Sequence, residues 1–179
     1  MKNQKNYHAL KYITDASKCA EVGVWQGDLS FEILKHKPAE LHLIDPWKSQ
    51  DLVDRCYSIN QLEMDNIYQE VLNKFNIYDE VTIHRKFSTD VSFSKEYFDW
   101  VYLDGDHSCD AVKKDLLFYY PLIKKGGYLC GDDYGLWSEQ PKHGFGSDGE
   151  GGPKPAIDEF VNYHNLDFEI FRDQFVIFI

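Results

Sequence analysis

The chain is short of positive charge. It has 19 Lys and Arg against 30 Asp and Glu, a formal net charge of −11 at pH 7. Nucleic acid is bound largely by releasing counterions from its phosphates to a basic surface, and no Lys/Arg stripe runs through this sequence. An anionic membrane surface is disfavoured for the same reason. Long apolar runs are also missing, and none approaches the about 20 residues of a membrane-spanning helix. Met1 to Asn6 is polar, with no apolar stretch behind it as a secretory leader would have, so the expectation is a soluble, cytoplasmic protein. Cysteine is sparse as well. Cys19, Cys56, Cys109 and Cys130 form no Cys-x-x-Cys pair, which argues against a zinc site or a disulfide framework. Cys19 and Cys130 fall in strand-like runs and read as small buried groups.

What is present is an alternation of β-rich and helical segments. At 179 residues the chain is long enough for one self-sufficient core, so residues 1–179 are read as a single domain. Strands are expected at Cys19–Val24, Leu41–Ile44, Val81–His84 and Asp99–Leu103, with a fifth opening over Tyr128–Cys130. Between them, apolar stripes mark helices through Leu29, Ile33 and Leu34, over Leu62–Phe75, and through Val112, Leu116 and Tyr119. Such alternation signals βαβ units and a parallel sheet. The end differs. A short helix over Ala156–Tyr163 precedes Phe168–Phe171 and Phe175–Ile179, which flank Arg172-Asp173-Gln174 as a hairpin-like pair. The fold class is therefore α/β, doubly wound and Rossmann-like, parallel with an antiparallel C-terminal pair.

Two strand ends run straight into acids: Val101-Tyr-Leu-Asp-Gly-Asp-His107 and Gly126-Gly-Tyr-Leu-Cys-Gly-Asp-Asp-Tyr134. A parallel sheet brings those ends together, so Asp104, Asp106, Asp132, Asp133 and His107 should line one edge. Ligands of open α/β sheets bind beyond the carboxyl ends of the strands. An oxygen-rich cluster there suits a hard cation such as magnesium. Asp106 and Ser108 are equally suited to capping the next helix.

The first strand turns into Glu21-Val-Gly-Val-Trp-Gln-Gly27, where a glycine lets backbone approach a ligand. A dinucleotide fingerprint wants glycine where Glu21 stands. A carboxylate there would repel a pyrophosphate but suits a cationic or zwitterionic ligand such as S-adenosylmethionine. Ordinary strand-to-helix packing would explain Gly23 and Gly27 equally well. Asp45 closes the second strand, where doubly wound folds put an acid that holds ribose hydroxyls. Ser88-Thr-Asp90, beyond the third strand, would fall near the adenine, and Asp90 could instead cap the following segment. His42 and His84 read as satisfied core or surface histidines.

Together, Glu21-x-Gly-x-x-x-Gly27, Leu43-Ile-Asp-Pro-Trp47, Tyr102-Leu-Asp-Gly-Asp-His-Ser108, Lys125-Gly-Gly127 and Gly131-Asp-Asp-Tyr134 resemble class I S-adenosylmethionine-dependent methyltransferases. The similarity is to the group with the macrocin and mycinamicin sugar O-methyltransferases, and it extends over residues 18 to 179. It implies cofactor binding by Glu21, Gly23, Gly27, Asp45, Ser88 and Asp90. By motif it also implies magnesium at Asp104, Asp132 and Asp133, with His107 as general base and Asp104 at the reacting centre. The acceptor would be a small molecule such as a sugar. The alternatives are a metal-independent small-molecule methyltransferase and a non-catalytic nucleotide-binding module. With so few residues before the first strand, the long N-terminal lid of the sugar enzymes is expected to be missing. The glycine-rich stretch 136–153 is therefore expected to be a flexible active-site loop that brings Trp137 or Phe145 over the acceptor, with a second subunit of a homo-oligomer as possible help.

Overall fold

The computed structural model describes residues 7–49, 59–135 and 152–179. After a 3-10 turn at His8–Tyr12 come β1 (Lys18–Val22), α1 (Asp28–Leu34), β2 (Glu40–Asp45), α2 (Gln61–Phe75), β3 (Val81–Arg85) and β4 (Phe98–Leu103). Then follow α3 (Cys109–Tyr119), β5 (Ile123–Gly131), α4 (Pro153–His164), β6 (Phe168–Phe171) and β7 (Gln174–Phe178). The strands form one sheet in the order β3-β2-β1-β4-β5-β7-β6. β1 to β5 pair in parallel, and β7 runs antiparallel to both β5 and β6. This is the Rossmann-like methyltransferase layout the sequence predicts.

Central parallel strands are buried on both faces, so their residues feed two cores in alternation. Cys19, Leu41, Leu43, Trp100, Tyr102 and Cys130 point to the face covered by the 3-10 turn, α1 and α2. Ala20, Val22, Ile44, Val101, Leu103 and Leu129 point to the face covered by α3 and α4. Cys19 and Cys130 are fully buried, as expected of small apolar groups. Of the C-terminal phenylalanines, Phe175 is core, whereas Phe168, Phe171 and Phe178 are only half-buried.

Two boundaries differ from the sequence reading. β5 begins at Ile123 and runs through Gly126-Gly127, which read as punctuation. A Cβ on Gly127 would lie 2.8 Å from the Asp99 carbonyl oxygen, so glycine is what lets the strands approach where the register shifts between Phe98 and Trp100. α4 begins at Pro153, before the expected Ala156. Proline lacks the N–H that the first turn of a helix leaves unused, so these prolines start the helix. Residues 86–97 link β3 to β4 without a helix. No helix among the described residues is long and apolar enough to cross a membrane.

Candidate active site

The glycines of the first turn have structural work of their own. Gly23 has φ +87°, and a Cβ there would lie 2.1 Å from the Asp104 carbonyl oxygen. Gly27 has φ +79°, and its Cβ would lie 2.6 Å from the Phe75 ring. Any side chain at either position would push β1 off β4 or α1 off α2. Glu21 is 1% exposed and accepts a 2.5 Å hydrogen bond from Ser30 Oγ. Burial lifts its carboxyl well above the usual range; the Ser30 bond opposes this, and Asp104, Asp45 and Asp28 reinforce it. A positively charged ligand would relieve that repulsion.

Asp45 does more than a ribose ligand must. Oδ2 accepts from the backbone N–H of Val24 and of Trp25, both at 3.0 Å, and Oδ1 from Trp47 N–H at 2.7 Å. Trp25 and Trp47 have φ of 52° and 40°, a region L side chains disfavour. The carboxylate, helped by a 2.9 Å bond from Trp47 Nε1 to the Trp25 carbonyl, ties both strained turns together. Beside Asp45, Pro46, Lys48, Arg85, Phe87 and Asp90 line a groove of about 430 Å³. Of the two residues expected near an adenine, Asp90 thus rims a groove of suitable size. Ser88 turns toward α3 instead, its carbonyl taking a 2.7 Å bond from Tyr119 Oη and its hydroxyl bonding Asp115.

The acid-bearing ends are held by continued strand pairing. Asp104 N–H donates to Val22 O at 2.8 Å, and Asp132 N–H to Leu103 O at 3.2 Å. His107 lies between two carboxylates, with Nε2 3.3 Å from Asp104 Oδ1 and Nδ1 2.8 Å from Asp133 Oδ2. Asp133 reaches it from a left-handed backbone, φ 59°, which Asp tolerates better than most residues. Burial alone would lower the imidazole, but its bonds to Asp104 and Asp133 outweigh this and raise it to about 10. In the protein alone His107 is therefore an imidazolium at neutral pH.

One oxygen or nitrogen each from Asp104, His107 and Asp133 lies within 4.8 Å of the others, a spacing that could hold a cation. Asp132, expected in that set, lies beside it: it is 3% exposed, and its Oδ1 accepts from Asp133 N–H at 3.0 Å. Asp106 and Ser108 act as caps. Asp106 Oδ1 accepts from Ser108 N–H at 2.9 Å, and Ser108 Oγ accepts from Ala111 N–H at 3.3 Å at the start of α3. Asp106, Asp115, His107 and Asp132 border a cavity of about 10 Å³, room for about one water. Sequence reasoning missed Ser30 and Trp25, which left no signal in the sequence. Trp137, Phe145 and most of the glycine-rich stretch lie outside the described residues.

A sheet of this order, with an acid cluster at its carboxyl ends, has the Rossmann-like methyltransferase layout. Residues 20–134 match the profile of a family described as a methyltransferase domain, and the chain belongs to that family of S-adenosylmethionine-dependent enzymes. Its fold is similar to that of a structural-genomics target from Corynebacterium glutamicum (14% identity, TM-score 0.62, covering 92% of this chain and 72% of that one). It is similar also to the N-methyltransferase NodS from Bradyrhizobium japonicum WM9 (12%, TM-score 0.62, 94% and 87%). The O-methyltransferase NovP is a third likeness (20%, TM-score 0.58, 90% and 71%). A 44-residue stretch is 43% identical to an uncharacterized protein of Acanthamoeba polyphaga mimivirus, a match spanning 24% of this chain and 20% of that protein.

Proposed function

We propose that the protein transfers the methyl group of S-adenosylmethionine to a hydroxyl of a small acceptor, a sugar or similar polyol, as the macrocin-type O-methyltransferases do. The observation that carries this reading is the convergence of Asp104 and Asp133 on His107 at the carboxyl ends of adjacent strands. The cofactor supplies an electrophilic methyl on a sulfonium. Asp45 binds the ribose hydroxyls while still holding its turns, and Asp90 with the groove beside it receives the adenine. Gly23 and Gly27 keep backbone close to the ligand, Glu21 meets its positive end, and Ser88 anchors the adenine loop to α3.

His107 accepts the proton of the acceptor hydroxyl. It can do so only as neutral imidazole, so positive ligand charge beside Asp104 and Asp133 must first replace the proton it shares with them. Asp104 and Asp133, with Asp132 adjacent, form a donor set that fits magnesium, whose chemistry there would be to lower the hydroxyl pKa. A metal-independent reading is favoured by one specific feature: His107 already supplies a positive charge between the two carboxylates.

Calorimetry with S-adenosylhomocysteine and with a nicotinamide dinucleotide tests the cofactor assignment. The first should bind and the second should not. Asp45→Ala should weaken S-adenosylhomocysteine by about 1–3 kcal/mol, the scale of lost hydrogen bonds to a charged group. A folded Asp45→Ala protein with unchanged affinity would remove Asp45 from the site.

A further inference from the structure

Strand order sets where the two ends of the donor fall. In the reading above, the nucleoside lies over β3 and β2, beside Asp45 and the groove at Asp90. The next strands are β1 and then β4, so the amino-acid end extends over their carboxyl ends. There Glu21 and Tyr102 are cross-strand partners.

Tyr102 is unusual among the large aromatic residues of this core. It is fully buried, yet its hydroxyl makes no hydrogen bond among the described residues. Trp100, two residues earlier on the same face and stacked on it at 5.5 Å, donates its Nε1 proton to the Ala9 carbonyl at 3.1 Å. Native proteins leave few buried donors unpaired, and each such group destabilises the fold that carries it. The half-buried Tyr7 meets the ring edge-on at 6.3 Å. A phenol ordinarily titrates near pH 10, so at neutral pH this hydroxyl carries its proton. The hydroxyl is thus a neutral donor in acidic surroundings. An amino-acid end brings an ammonium, which suits those acids, and a carboxylate, which they would repel unless a neutral donor meets it.

We infer that Tyr102 is a binding residue for the amino-acid end of the methyl donor, its hydroxyl donating to the ligand carboxylate while neighbouring Glu21 faces the ammonium. This rests on the cofactor assignment proposed above. The residue would make the site discriminate between ligands that carry the amino acid and those that end at the thioether.

The test is Tyr102→Phe in the full chain, with three measurements: melting temperature, and calorimetric affinity for S-adenosylhomocysteine and for 5′-methylthioadenosine, which lacks the amino-acid end. The melting temperature should stay or rise, because the hydroxyl lost has no partner among the described residues. S-adenosylhomocysteine should bind about tenfold more weakly, and methylthioadenosine within twofold of wild type. Unchanged S-adenosylhomocysteine affinity, equal weakening of both ligands, or a variant that melts early or fails to fold would each overturn the assignment. Wild-type protein that binds neither ligand would instead sink the cofactor reading beneath it.

Discussion

The two ends of the parallel strands treat acidic side chains in opposite ways. At the amino ends Asp99 and Glu40 each have a cation. Lys124 Nζ lies 2.7 Å from Asp99 Oδ1, and Lys18 lies 2.6 Å from Glu40 Oε1, with Tyr97 donating to the other Glu40 oxygen. At the carboxyl ends of β1, β4 and β5, Asp104 and Asp133 share one imidazole, His107, with Asp132 beside them and Glu21 buried against Ser30. Matched charges at one end hold strands together. Carboxylates gathered at the other are costly to the protein alone and are relieved if something positive arrives. Nothing about folding requires that asymmetry, which is why we propose the carboxyl ends as the functional end.

The largest effect should come from removing the imidazole held between Asp104 and Asp133. His107→Ala should lower turnover of a hydroxyl acceptor by roughly 10²- to 10⁴-fold with cofactor affinity little changed. A near-wild-type rate would reduce His107 to a structural counter-ion. The same variant reports on charge. The folded value of His107 is about 10 against an ordinary 6.5, so its contribution to stability is complete below 6.5 and lost as pH rises through about 10. The stability gap between wild type and variant should therefore close over that window. A gap that widens with pH would mean that the imidazole is not shared with Asp104 and Asp133.

A smaller effect follows from supplying the missing charge from outside. Magnesium at about 100 times its dissociation constant should stabilise the protein by about 2.7 kcal/mol, read as a rise in melting temperature. Asp104→Asn combined with Asp133→Asn should abolish the rise, and Asp132→Asn alone should show whether the third acid takes part. If magnesium leaves the melting temperature unchanged and methyl transfer persists in strong chelator, the metal-independent reading stands.

The asymmetry itself was legible in the sequence because parallel pairing is a consequence of alternation, and strand ends can be lined up without coordinates. Asp104, Asp133 and His107 were found that way. What was not legible depends on side-chain direction. Asp132 and Asp133 are adjacent in sequence, yet the left-handed backbone of Asp133 sends only its carboxylate to His107. Asp45 reads as a ligand residue in the sequence, and its bracing of Trp25 and Trp47 was not legible because its bonds are to backbone N–H groups that any residue could offer. Gly126-Gly127 looked like a break, and β5 runs through it because close strand contact and a turn both call for glycine. Tyr102 was invisible as a polar group, since a tyrosine in a strand reads simply as apolar filling.

The smallest expected effect contrasts two residues of one type. Glu40 is held down to about 2, first by Lys18 and then by Tyr97, while burial lifts Glu21 above the ordinary glutamate value of 4.5. A depressed carboxyl adds stability above its unfolded value and loses it as pH falls through the folded one, so Glu40 should stabilise the protein at pH 8 and cease to do so near pH 2. A raised carboxyl does the reverse, so the contribution of Glu21 is present below 4.5 and lost as pH rises past it. At pH 8, Glu40→Gln should therefore cost up to about 1 kcal/mol, a value limited by solvent screening of a partly exposed pair. Glu21→Gln should be neutral or mildly stabilising while weakening S-adenosylhomocysteine, the trade between stability and function expected of a binding acid. Urea denaturation of both variants at pH 8 and pH 4 gives the comparison. Equal losses at pH 8 would mean that the two ends of the sheet hold their acids alike, and that the crowding at the carboxyl end is not what a cationic ligand relieves.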